Sequence, residues 1–86
     1  MSTPLDELRA QITANDKAIV SAVNERLRLV AALWKLKQEI GADQLDLGRE
    51  RDLRAELAAA NAGPLSAEAT DRLISELLAL TKSELG

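Results

Sequence analysis

Between Leu5 and Ile40 the chain contains neither glycine nor proline, and this uninterrupted stretch limits the folds open to it more than any other feature. It is rich in alanine, leucine, glutamate, lysine and arginine, the residues that lose least on entering a helix. Apolar side chains recur at Leu5, Leu8, Ile12, Ile19, Ala22 or Val23, Val30, Leu33 and Ile40, the three-and-four spacing of one buried helical face. Thr3 is placed to cap the helix and Pro4 to occupy its first turn, while Gly41 marks its end. About 36 residues, each rising about 1.5 Å, form a rod of roughly 54 Å. A globule of this chain length has a radius of gyration of only about 12 Å. The rest of the chain is too short to cover both halves of such a rod. The bare part of the stripe must be buried against another chain, most simply a two-fold copy. The alternative is a kink that folds the rod back, but no glycine or proline stands near its middle to cause one.

Two shorter helices follow. Asp46 is the expected cap of a helix starting at Leu47 or Gly48 and running to about Ala60, with Leu53, Leu57 and Ala60 as its buried face. Asn61-Ala62-Gly63-Pro64 reads as a turn. Ser66 then caps a third helix that ends near Glu84, with Glu68 in its positive first turn. One face of that helix carries Thr70, Leu73, Ile74, Leu77, Leu78 and Thr81. The expected fold is all-α, with one long and two shorter helices per chain in a helical homodimer, and residues 1–86 forming one domain.

Composition removes several function classes. With no cysteine there are no disulfides and no thiolate metal sites, and with no histidine there is no Ser-His or Cys-His nucleophile. A formal charge of −3, interspersed basic and acidic residues, and Trp34 as the one aromatic argue against nucleic acid. Asp6, Glu7 and Arg9 break up any apolar run that would read as a signal peptide, and no segment has the ~20 apolar residues that span a membrane. A cytoplasmic protein with neither a nucleic-acid nor a membrane partner is expected.

Polar residues stand where the helical pattern calls for apolar ones. The ladder of steps from Ile12 to Ile40 passes through Asn15, Arg26 and Lys37. Arg26 and Lys37 are close to three turns apart, so they point the same way, about 16 Å from each other along the rod. Two cations on a buried stripe each cost several kcal/mol unless an anion compensates them, a cost met mainly at functional sites. The bland alternative is that both reach solvent at the stripe's edge or pair with a carboxylate such as Glu50. Arg9 lies about 100° away around the helix from Arg26 and cannot easily join a site in its own chain, whereas an antiparallel partner's copy can. Asp46, Arg49 and Glu50 fall on one side of a helix start, which is either an anion or hydroxyl site or an ordinary capped, solvated turn. Thr81 interrupts an apolar line and is otherwise explained by a hydroxyl bonded back to a backbone carbonyl. Trp34 is expected to pack at a helix junction, with closure of a site as the alternative.

Together these residues resemble the all-helical chorismate mutases over nearly the whole chain. The resemblance is carried by Leu8-Arg9, by Glu25-Arg26 with Lys37 beyond it, by the run Asp46-Leu47-Gly48-Arg49-Glu50-Arg51, and by the turn Gly63-Pro64-Leu65. It implies an intertwined dimer in which paired long helices let each site borrow one arginine from the partner. It also implies rearrangement of chorismate to prephenate, a step in phenylalanine and tyrosine biosynthesis that needs no proton transfer, nucleophile, metal or cofactor. By that resemblance Arg26 and the partner's Arg9 clamp the two carboxylates. Lys37 contacts a carboxylate and the ether oxygen, and Glu50 with the backbone near Asp46 takes the ring hydroxyl. Arg49 orders that corner, and Thr81 lies near a carboxylate. The family's Gln or Glu one turn beyond Thr81 is replaced here by Leu85. Glu84 can stand in only if protonated, which implies better activity at mildly acidic pH. Some small members gain activity by docking on the first enzyme of the shikimate pathway. Two other readings share these features: an isochorismate pyruvate-lyase, and a non-catalytic helical interaction module whose stripes are simply a dimer core.

Overall fold

The structure is a computed structural model and describes residues 3–41 and 47–86. Three helices follow in order: α1 (Pro4–Ile40), α2 (Leu47–Ala60) and α3 (Ala67–Leu85), with no strand among the described residues. α1 starts as its sequence requires. The Thr3 hydroxyl accepts from the Asp6 amide at 3.1 Å, and the Asp6 carboxylate accepts from the Thr3 amide at 3.5 Å, so two amides that the helix leaves free are satisfied reciprocally. Its end is set by Gly41, whose φ of 73° is a left-handed conformation that closes the last turn at little cost only in glycine.

The rod does not fold back. A helix of 37 residues should be about 55 Å long, and the molecule's longest dimension is 59 Å. The radius of gyration is 16.7 Å, well above the roughly 12 Å of a compact chain of this length. α3 packs on α1 and on α2, while α1 and α2 do not pack on each other. Among the described residues Ile74 is the buried apolar one, flanked by buried Thr70 and Thr81, all three on α3. On α1 the half-buried side chains all fall between Val23 and Lys37, and everything before Val23 is exposed. The apolar stripe at Leu5, Leu8, Ile12 and Ile19 is therefore bare, each residue more than half exposed.

Two expected faces differ in detail. Leu57 and Ala60 are exposed, and α2 instead turns Leu53 and Arg54 inward, because α3 alone is available to receive it. Leu73 is 51% exposed beside Ile74 at 2%. Consecutive helical residues are about 100° apart, and α3 wedges along the line of Thr70, Ile74 and Thr81, which leaves Leu73 at its margin. The turn before α3 is ordered by Asn61, whose side chain accepts from the Gly63 amide at 2.9 Å and donates to the Leu65 carbonyl at 2.7 Å and to the Thr70 hydroxyl at 3.0 Å. Ser66 caps α3 by accepting from the Ala69 amide at 3.0 Å. Among the described residues no helix is long and apolar enough to cross a membrane.

Candidate active site

The backbones of α1 and α2 do not come close to each other, and a cleft of about 750 Å³ opens between them, with α3 joining the two walls. α1 contributes Arg26, Val30, Leu33, Trp34 and Lys37. α2 contributes Arg49, Glu50, Leu53 and Arg54 from its first two turns. From α3 come Ser75, Leu78, Thr81 and Lys82. The apolar members form walls, and the charged ones project between them.

Arg26 is held in place. Its guanidinium donates to the hydroxyl of Thr81, which is buried and donates its own hydrogen to the Leu77 carbonyl at 2.8 Å. A hydroxyl has one hydrogen and two lone pairs, so giving the hydrogen to Leu77 leaves the lone pairs for Arg26. The back-bonded threonine and the site threonine are thus the same arrangement. Lys37 and Glu50 are both half-buried, and among the described residues neither Arg26 nor Lys37 forms an ion pair with Glu50. Arg49 approaches Glu56 at 4.0 Å.

The cleft brings Arg26, Lys37, Arg49, Glu50 and Thr81 together. Arg9 is exposed on the bare half of α1, roughly 25 Å along the axis from Arg26, and does not reach the cleft of its own chain. Asp46 lies outside the described residues. Glu84 is exposed in the last turn of α3, away from the cleft wall. Leu85 lines a separate, smaller recess with Ala31, Trp34, Lys35 and Gln38. Trp34 borders both hollows, half-buried where α1 meets the end of α3.

Two basic residues in the cleft escaped the sequence reading, and helical spacing held a signal for each. Arg54 is four residues beyond Glu50, and Lys82 is four beyond Leu78. Arg54 ties α2 to α3, donating to the Asp71 carboxylate at 2.7 Å, to the Asp71 carbonyl at 3.3 Å and to the Ser75 hydroxyl at 3.0 Å. In a chain of net charge −3 the described side chains that line the cleft include Arg26, Lys37, Arg49, Arg54 and Lys82 and one carboxylate, Glu50. A concave site with this balance attracts and orients an anion. Among the described residues no group of carboxylates is arranged to hold a metal ion.

Comparison with known proteins agrees with this geometry. The family described as Chorismate mutase type II matches residues 8–84. Two solved structures of chorismate mutase from Thermus thermophilus are similar to the chain. Form I is 29% identical with a TM-score of 0.86, covering 92% of this chain and 99% of that one. Form II is 28% identical with a TM-score of 0.87, covering 95% and 93%. The comparison with curated proteins found no match. Matched along nearly its whole length and superposing closely on two helical relatives, the chain belongs to the type II chorismate mutase family.

Proposed function

We propose that this chorismate mutase converts chorismate to prephenate in the cleft between α1 and α2, with Arg26, Lys37, Arg49, Glu50 and Thr81 as its residues of contact. The observation that carries this reading is the convergence of Arg26 and Lys37 with Glu50, from two helices whose backbones stand apart, in a hollow of about 750 Å³. The rearrangement breaks an ether C–O bond and forms a C–C bond within one molecule. The protein must hold a flexible dicarboxylate in a chair-like shape and stabilise the negative charge that grows on the ether oxygen. Arg26, steadied by Thr81, holds one carboxylate. Lys37, about three turns along the same face, reaches the second carboxylate side and the ether oxygen. Glu50 with the backbone near Asp46 takes the ring hydroxyl, and Arg49 orders that corner. An acceleration on the order of 10⁶ corresponds to about 8 kcal/mol, within the reach of positioning and electrostatics.

The working unit in this reading is a homodimer of one-domain chains. A compact monomer of 9.3 kDa exposes about 5,000 Å², and this chain exposes 7005 Å². That excess of roughly 2,000 Å², together with the bare apolar stripe on α1, suits a permanent helical interface. A partner's long helix laid along the bare stripe carries its Arg9 to this cleft, where it completes the carboxylate clamp. The reaction belongs to phenylalanine and tyrosine biosynthesis in the cytoplasm. Incubating the purified chain with chorismate, following the loss of its ultraviolet absorbance and identifying the product by chromatography, tests the reading. Prephenate from the wild type and a drop of at least about 10²-fold for Lys37→Ala are expected. Salicylate and pyruvate from isochorismate would reassign the chemistry. An inactive chain that turns over chorismate only beside the first shikimate-pathway enzyme would add an activating partner.

A further inference from the structure

Lys82 occupies the last turn of α3, one residue beyond Thr81 and one turn beyond Leu78, and all three line the cleft. A cation near a helix C-terminus suits the dipole from any position around the axis. The dipole therefore does not explain why Lys82 stands on the cleft side. The charge inventory of the cleft does. Arg54 is paired with Asp71, and Arg49 lies beside Glu56. Arg26, Lys37 and Lys82 have no ion-pair partner among the described residues, and neither has Glu50. Three cations without an ion pair share the hollow with one unpaired carboxylate, an excess of positive charge that suits an anionic ligand.

In the proposed site the substrate's carboxylates are held by Arg26, Lys37 and the partner's Arg9, which leaves Lys82 without a role in the resting complex. As the ether C–O bond lengthens and the C–C bond closes, electron density gathers on the ether oxygen, and no proton enters or leaves. We propose that Lys82 is a substrate-contacting cation of this site, its ammonium meeting the ether oxygen together with Lys37. The proposal rests on the cleft being the site of the rearrangement. It assigns to the exposed Lys82 a role that neither Glu84, which does not line the cleft, nor Leu85, turned into the neighbouring recess, is placed to fill. An interaction that strengthens only as the oxygen becomes negative acts on turnover rather than on substrate capture.

The experiment compares wild type, Lys82→Met, Lys82→Arg and Lys37→Ala for kcat and KM with chorismate, and for thermal midpoint. It also measures inhibition by an oxabicyclic dicarboxylate shaped like the chair-like transition state. Methionine keeps the stem and removes the charge. For Lys82→Met the expected result is a loss in kcat of about 10- to 100-fold, a KM within about twofold of wild type, and weaker inhibition by the bicyclic acid to a similar extent. Lys82→Arg recovers most of the loss, and the midpoints of all four proteins stay close. A Lys82→Met enzyme with unchanged kcat, or one altered in KM alone, or one whose whole deficit follows a lowered midpoint, overturns the proposal. If Lys37→Ala is inactive while Lys82→Met is not, the cleft reading stands and the role of Lys82 falls. If wild type leaves chorismate untouched both alone and beside the first shikimate-pathway enzyme, both fall.

Discussion

The hydroxyl of Thr81 gives its hydrogen to the Leu77 carbonyl at 2.8 Å and receives Arg26, and both bonds sit at a position only 6% exposed. Replacing it with valine keeps the shape and removes the acceptor. The guanidinium then loses its anchor but can still reach water, so the cost in stability should be about 1 kcal/mol rather than the several of a sealed charge. Thr81→Val is expected to reduce kcat/KM about tenfold, and Thr81→Ser to restore it, as read from initial rates on chorismate. The unpaired cations lead to a second expectation. In the absence of ligand, Lys37→Met removes a half-buried cation that has no ion-pair partner among the described residues and should melt at or above the wild-type temperature, although it is expected not to turn over substrate. Wild type should in turn be stabilised by a bound dicarboxylate, by about 2.7 kcal/mol at a hundred times its Kd, in a calorimetric scan.

α2 has one neighbour, and its hold on that neighbour decides where Glu50 stands. The half-buried Leu53 and the Arg54 clamp on Asp71 and Ser75 are the contacts that fix it, one turn from Glu50. The Asp71 side chain is 64% exposed, so the pair is screened by water and Arg54→Met should cost only about 1 kcal/mol. The larger effect should be local. Amide exchange over residues 47–60 should quicken, and kcat should fall several-fold as Glu50 and Arg49 lose their register with Lys37. α3 in turn depends on its first turn. Ser66→Ala removes the acceptor for the Ala69 amide and should lower stability by about 1 kcal/mol in a denaturant titration, with kcat/KM of the folded enzyme unchanged.

The molecule is 59 Å long and 18 Å in its thinnest direction, with the first half of α1 projecting beyond the other two helices. Ile12 is 59% exposed and Ile19 54%, on the stripe that a second copy is proposed to bury. Ile12→Lys with Ile19→Lys should yield monomers in sedimentation and abolish turnover, since Arg9 then has no site to join. A mixing experiment asks the same question without disrupting the fold. Arg9→Ala and Lys37→Ala chains, each inactive alone, should regain roughly a quarter of wild-type activity when refolded together. In a two-fold assembly half the dimers are mixed, and each of those holds one intact site. Two inactive parents that stay inactive after mixing would rule out an Arg9 donated across the dimer.

The long helix, its caps at Thr3 and Gly41, and the shared direction of Arg26 and Lys37 were all legible in the chain, because helical spacing is a local property that 3.6 residues per turn transmits without reference to anything else. The surplus of apolar stripe was legible too, from length alone. Tertiary structure decided the rest. It set the turn of α3 about its axis, which buries Thr70, Ile74 and Thr81 and leaves Leu73 half open. It also set the gap between α1 and α2, which makes a cleft rather than a core. Those two settings bring Lys82 and Arg54 to the site and send Leu85 to the neighbouring recess, and they arise from packing among three helices whose separate patterns do not specify their mutual rotation.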